Sequence, residues 1–388
     1  MLRIIFASLV MLGHVVMAET SVTVAYFKIE QPRPPVLSNL DLIPEDLGQS
    51  GAVLGISDNN TTGQFLGQTY VLEETIVSTD SDPLPSFRSV LDRADYIILD
   101  ASASDIMTLA NLPEAASKLL FNASAPDTVL RDVGCQSNVL HTVPSFAMRS
   151  DALMQVLLKK RWSDVALIQG TFPQDRAFAD AIKSSIAKFG LRLRSEKEWV
   201  FDADMRRSAS SEIPIFTQSL KSHDILIIAD EVHDFGRYVA YNTWEATPLA
   251  GSEGLRPLGW DRTVEQWGAA QLQSRFDKIA DRPMRDLDYA AWAAVRSIGE
   301  AVTRTNATDP ETIKRFIFSD EFELAGFKGR PLSYRSWNGQ LRQPIPVVSS
   351  NALVAQAPLE GFLHQSSELD TLGIDKQESK CAQFKENK

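Results

Sequence analysis

The chain has 388 residues, 44% of them hydrophobic and 23% charged, with 20 glycines and 19 prolines. That is a globular composition, which excludes a disordered, collagen-like or coiled-coil chain, and the length predicts about two domains of roughly 150 residues. A formal charge of -11 argues against a nucleic-acid partner held on a basic face. Two cysteines and five scattered histidines are too few for a disulfide framework or a cysteine-rich zinc site, so no metal site is expected.

Residues 1–18 have the layout of a secretory signal peptide: a basic start at Arg3, an apolar run from Ile4 to Val16, and the small residue Ala18 before the polar Glu19, Thr20 and Ser21. The apolar run of about 13 residues falls short of the roughly 20 that cross a bilayer, so cleavage after Ala18 is expected ahead of the alternative, an uncleaved anchor. Export would place the chain in an oxidising compartment. There Cys135 and Cys381, the only cysteine pair, can bridge and tie the C-terminal tail to the middle of the chain; two unpaired thiols are the alternative.

Strand-like and helix-like stretches then alternate. Val22 to Phe27 is β-rich, Pro44 to Asn60 predicts a helix, and Tyr70 to Val77 predicts a strand. Tyr96–Leu99 and Leu119–Phe121 are short apolar runs of the kind buried on both faces of a parallel sheet. Ser150 is placed to cap a helix from Asp151 to Arg161. Val165–Ile168 follows as a strand, then Phe178, Ile182, Ser185 and Phe189 at helical spacing, with Gly190 as the stop. Ile225–Ile228 is the next strand, and a helix is predicted from Phe235 to Trp244. This rhythm predicts an α/β chain with doubly wound parallel sheets.

The catalytic motifs are missing. The chain has no phosphate-cradling G-x-x-x-x-G-K-[ST], no G-x-G-x-x-G and no G-x-S-x-G. His223 and His233 lie near Asp230, Glu231 and Asp234, but two histidines flanking a strand end read better as surface residues than as metal ligands. Nothing assembles a nucleophile, a base and an orienting group, so a non-enzyme is expected.

The mature chain resembles the type I periplasmic solute-binding proteins of the branched-chain amino-acid class. The resemblance is carried by Asp100–Ser104 and Phe121–Ala125 as ligand loops after strands, by the passage from Leu130 to Ser145, and by Ala250–Gly254 as a second-lobe cleft loop. A narrower likeness, to substrate-binding proteins associated with pyrroloquinoline-quinone-dependent alcohol dehydrogenase systems, rests on Leu54–Gly63, Trp267–Gln273, Asp288–Trp292 and Gly339–Pro344. The resemblance implies two Rossmann-like lobes joined by three hinge crossings, at His141–Ser145, Pro248–Gly259 and Phe327–Pro331. Residues 19–143 with 257–330 would form lobe 1, and 144–256 with 331–388 lobe 2.

It also implies a small molecule captured between the lobes, in the periplasm, and handed to the membrane subunits of an ABC transporter. The site residues implied are Ser102, Ser104, Ala123 and Ala125 in lobe 1. In lobe 2 Glu253 matches the carboxylate that holds a ligand ammonium. The stretch Gly170–Asp175 lacks the tyrosine of the amino-acid binders, and Gln31–Pro35 forms an unusual proline run. Trp260 with Arg262, flanked by Trp244 and Arg256, would suit pyrroloquinoline quinone by stacking and by guanidinium forks. In that reading the ligand is the quinone and a periplasmic quinoprotein dehydrogenase is a partner. A sensor presenting its closed state to a membrane receptor is a further alternative.

Overall fold

A computed structural model describes residues 20–32, 42–200 and 205–384, with the backbone alone at 205–207. The expected signal peptide and the proline run beyond Pro32 lie outside the described residues.

In the first lobe β1 (Thr20–Ile29), α1 (Gln49–Gly63), β2 (Gln68–Val77), α2 (Pro83–Leu91), β3 (Tyr96–Asp100), α3 (Ala103–Ala110), β4 (Leu119–Asn122) and β5 (Val139–His141) follow in order. The strands form one parallel sheet in the order β2-β1-β3-β4-β5. Every residue of β3 and β4 is buried, as apolar runs between two helical layers require. The helix expected from Pro44 starts later. Gly48, at φ 83°, ends a run of turns there, and the helix continues to Gly63.

The second lobe is built from α4 (Phe146–Lys159), β6 (Asp164–Gln169), α5 (Pro173–Phe189), β7 (Arg192–Glu198), α6 (Met205–Thr217), β8 (Ile225–Ala229), α7 (Gly236–Val239) and β9 (Leu249–Gly251). Its parallel sheet runs β7-β6-β8-β9. α4 begins one turn earlier than expected, because Ser145 rather than Ser150 is its cap: the Ser145 hydroxyl accepts from the Met148 N–H at 3.2 Å. The predicted Phe235–Trp244 helix lasts a single turn, since Ala240 turns extended and Tyr241 takes φ 69°.

After β10 (Arg256–Pro257) the chain returns to lobe 1 as α8 (Ala269–Ala280), α9 (Asp286–Thr305) and α10 (Pro310–Ile317), then β11 (Ser333–Tyr334) and β12 (Leu341–Arg342). β13 (Ile345–Ser349) and β14 (Ala352–Ala357) complete lobe 2. Two large apolar clusters mark the lobes. One joins Val24, Ile98 and Phe121 to Tyr289, Trp292, Leu332, Tyr334 and Leu341; the other joins Phe146, Leu167 and Ile227 to Ile345, Val347 and Leu372.

The third crossing therefore falls at 342–344 rather than at Phe327–Pro331, because Leu332, Tyr334 and Leu341 are committed to the lobe 1 core. The second narrows to 258–260. Nor does the tail stay in lobe 2: Cys381 is joined to Cys135 of lobe 1 by a disulfide, Cα to Cα 5.6 Å.

Buried side chains bind the three crossings together. Gln343 donates to the Thr142 carbonyl at 2.8 Å, and the Lys328 ammonium donates to Gln343 Oε1 and to the Gly259 carbonyl. Gln340 Nε2 donates to the carbonyls of His141 and Val143, at 3.1 and 3.2 Å, and its Oε1 accepts from Arg131.

Candidate functional site

In an open parallel sheet the ligand crevice lies beyond the carboxyl ends of the strands where the winding reverses. Those points are between β1 and β3 in lobe 1 and between β6 and β8 in lobe 2, given the observed strand orders. Both sets of strand ends sit against the crossings. Arg131 donates to the carbonyls of Ala125 and Val143 in lobe 1 (2.7 and 3.0 Å), and Arg149 donates to that of Pro257 in lobe 2 (2.9 Å).

On the lobe 1 side Ser102 caps α3. Its hydroxyl accepts from the Asp105 N–H at 3.2 Å, donates to the Asp105 carboxylate at 2.6 Å, and lies 2.9 Å from the hydroxyl of exposed Ser104. Gln31, beyond β1, donates to the same carboxylate at 3.1 Å. Ser102 and Ser104 are thus together at a helix start beside the switch point, with a carboxylate in the same turn.

Ala123 and Ala125 differ from expectation. Both are buried, and their N–H groups are spent internally, Ala123 on the Leu99 carbonyl at 3.1 Å and Ala125 on Asn122 Oδ1 at 2.9 Å. The Ala125 carbonyl in turn accepts from Asn122 and Arg131. No helix starts there, so this loop is a rigid wall rather than a bed of free donors.

The lobe 2 side is a set of carboxylates, each held differently. Asp230 is buried and accepts from the N–H groups of Asp234, Phe235 and Gly236, which fold the loop after β8 around it. Buried Asp175, in the first turn of α5, accepts from the N–H groups of Glu231 (2.6 Å) and Phe172 (3.2 Å). Burial, then the Asp230 charge, raises the Asp175 carboxyl to about 7.

Glu231 forms a two-point ion pair with Arg149, at 2.6 and 3.0 Å, and accepts from the Ser252 hydroxyl at 2.9 Å. Burial pushes its carboxyl up, but the Arg149 guanidinium outweighs that and holds it below the ordinary range. Glu253 is half-buried. Burial raises its carboxyl, with His233 and Arg256 opposing, and its Cγ lies where a side chain at Gly236 would reach. Phe172, at the start of α5, is 36% exposed, an apolar ring in the stretch from Gly170 to Asp175.

The tryptophans do not join this site. Trp260 is buried in the lobe 1 core, its ring stacked on Tyr289 with centroids 4.7 Å apart, and its main-chain N–H donates to Asp286 at 2.8 Å. Arg262 is exposed and instead lines a polar cavity of about 530 Å³ with Thr263, Glu265, Gln266 and the β13–β14 turn. Trp244 lies at the other end of the lobe 2 sheet, near Thr217 and the start of β8. These residues therefore do not form the stacking and guanidinium site expected for a quinone. Similarly, His223 precedes β8 and His233 follows it, so the strand separates them.

Nothing in the sequence marks Arg149, and the stretch Gly170–Asp175 stands out only for its missing tyrosine, with no role for Phe172 or Asp175 themselves. The sequence places Glu231 in a carboxylate cluster with Asp230 and Asp234 that could polarise a ligand or be a solvated rim, because nothing in it pairs Glu231 with an arginine 82 positions away.

No protein-family model matches the chain, and no curated protein matches it. Solved structures do. A branched-chain amino acid ABC transporter periplasmic ligand-binding protein from Burkholderia xenovorans is similar at a TM-score of 0.73 and 14% identity, over 94% of this chain and 100% of its own. A periplasmic binding protein from Burkholderia mallei gives 0.68 and 14%, over 95% and 100%. A solute-binding protein from R. palustris, solved in complex with benzoate, gives 0.64 and 11%, over 93% and 99%. The chain has the two-lobed α/β fold of the periplasmic binding proteins.

Proposed function

We propose that the protein is the substrate-binding component of an ABC-type transport system, working in the periplasm and closing two lobes on a small molecule. The observation that carries this reading is the pair of parallel sheets whose strand ends converge on three crossings, with hydroxyls on one side and carboxylates on the other. Closure would bring the Ser102–Ser104 turn towards Glu231, Glu253 and Phe172, the hinge motion such folds use. Partners in this reading are the small molecule and the membrane subunits of the transporter.

Glu253 is the residue we assign to a ligand cation, because burial raises its carboxyl and a bound ammonium would relieve that cost. The Ser102 turn and the start of α3 would meet the polar end of the ligand. Phe172 would pack on its apolar part. The link to pyrroloquinoline-quinone-dependent alcohol oxidation rests on the sequence likeness alone. Those stretches build α1, α8 and α9, where Asp58 accepts from Trp292 at 2.9 Å and Arg275 at 3.1 Å, and the third crossing. Their contacts here lie within lobe 1 and at the crossings.

Titration calorimetry on ligand-stripped mature protein tests the reading, with an amino-acid pool, benzoate and pyrroloquinoline quinone as probes. Binding of an amino acid that is lost in Glu253→Gln supports the assignment. Tight quinone binding that survives Glu253→Gln would overturn it in favour of quinone capture.

A further inference from the structure

We propose that the C-terminal tail is a fourth connection between the lobes, a strap that limits how readily they open. The tail leaves β14 in lobe 2 and is first fixed there. The Leu359 N–H donates to Gln155 of α4 at 2.9 Å, the Phe362 ring meets Phe189 of α5, and Leu372 is buried in the lobe 2 core. The Gly373 N–H donates to Asp151 of α4 at 2.8 Å, and Lys188 of α5 donates to the Gly373 carbonyl at 3.0 Å.

The same few residues are gripped from the other lobe. Arg335 follows Tyr334 of the lobe 1 core and is itself buried. It donates to the Asp370 carboxylate at 2.8 Å and to the carbonyls of Leu369 and Leu372 at 3.1 and 2.7 Å. Asp370 also accepts from Arg342, at the third crossing, at 2.8 Å. Beyond this double grip the tail ends on lobe 1. The Lys380 N–H donates to Asp132 at 2.6 Å, Cys381 is bonded to Cys135, and Phe384 packs on Phe318 beside α10.

A tail that merely needed fastening would be held by one lobe. This one has buried charge-assisted hydrogen bonds to both, together with a covalent bond at its end. Relative rotation of the lobes must shear the segment between Asp151 and Arg335 or carry it along. The strap therefore opposes opening at the hinge edge marked by Arg342, in the apo and the liganded protein alike.

Two variants of the full chain loosen it at opposite ends: Cys135→Ser with Cys381→Ser removes the covalent hold on lobe 1, and Lys188→Met removes one of its holds on lobe 2. Hydrogen exchange read by mass spectrometry, with small-angle scattering, needs no ligand. Each variant is expected to exchange the amides of 142, 143, 145, 258–260, 342 and 343 about tenfold faster while β3 and β8 stay protected, because hinge opening is a local event. The radius of gyration should rise in both. Faster exchange confined to 368–384, with the crossings and the radius unchanged in both variants, would overturn the strap. If loss of the disulfide also exposes β3 and β8, the Lys188 variant decides by the same reading.

Discussion

Arg149 grips Glu231 at two points, 2.6 and 3.0 Å, from a helix that begins where the first crossing ends. Its third nitrogen donates to the Pro257 carbonyl at the second crossing, 2.9 Å away, and its guanidinium lies over the Phe178 ring. One side chain thus links a carboxylate at the lobe 2 switch point to both of these crossings. Any ligand group that engages Glu231 acts on a residue already coupled to the hinge.

Removing the guanidinium leaves a buried carboxylate without its counter-charge. Arg149→Met is expected to cost about 3–5 kcal/mol, the usual penalty for breaking a buried pair from one side. Adding Glu231→Gln should recover most of it. Urea denaturation of the two variants checks this, and equal stability of both would deny that the lone charge is the cause. Because the Glu231 pKa lies below its unfolded value, the stabilisation is present above the unfolded pKa and is lost as pH falls through the folded one.

Glu253 and Trp260 make opposite predictions. Trp260 is buried against Tyr289, so Trp260→Ala should open a cavity and cost about 3–5 kcal/mol. Ligand specificity should stay unchanged. Glu253→Gln touches a half-buried rim and should leave the unfolding midpoint nearly unchanged while weakening a cationic ligand at least tenfold. Thermal melts and calorimetry on both variants check the pair.

Much of the fold was legible because buried parallel strands announce themselves. Tyr96–Leu99, Leu119–Phe121, Val165–Ile168 and Ile225–Ile228 all lie within strands of the two sheets. Helix starts were less legible: Ser145 and Ser150 are equally good caps in sequence, and packing against Phe178 chooses between them. At the site, the turn at Ser102 was readable from a small hydroxyl residue after an apolar strand. Burial of Trp260 was not, since an indole beside arginines reads the same whether it faces a core or a cleft. The pairing of Arg149 with Glu231, the third crossing and the double grip on the tail depend on contacts between distant residues, which no local pattern encodes.

Lys328 sits where all three crossings meet, donating to Gly259 and Gln343 with its ammonium 4.3 Å from the centre of the Tyr289 ring. Burial lowers it to about 7, with Asp286 opposing. Between pH 7 and the ordinary lysine range the unfolded chain holds a proton that the folded one has released. The wild type should therefore gain stability as pH rises through that window, at up to about 1.4 kcal/mol per pH unit. Lys328→Met lacks this gain, so the gap between wild type and variant should widen from pH 7 to 9. A constant gap across that range would show that the lysine keeps its charge.

Asp175 predicts the reverse slope. Its carboxyl stands at about 7, raised first by burial and then by Asp230, although it accepts backbone N–H groups from Glu231 and Phe172. Between the unfolded value near 4 and the folded one, the folded chain holds a proton that the unfolded chain has lost. Stability from this group is therefore complete below pH 4 and declines as pH rises to 7, at up to about 1.4 kcal/mol per unit. Asp175→Asn keeps one oxygen for the Glu231 N–H and carries no charge towards Asp230. The variant should fall below wild type at pH 5, where wild-type Asp175 is already neutral, gain on it up to about pH 7, and level off towards pH 8. Chemical denaturation at pH 5, 6, 7 and 8 checks the trend. A difference that stays flat would mean that Asp175 is ionised throughout, and that the loop after β8 is held by a charged acceptor.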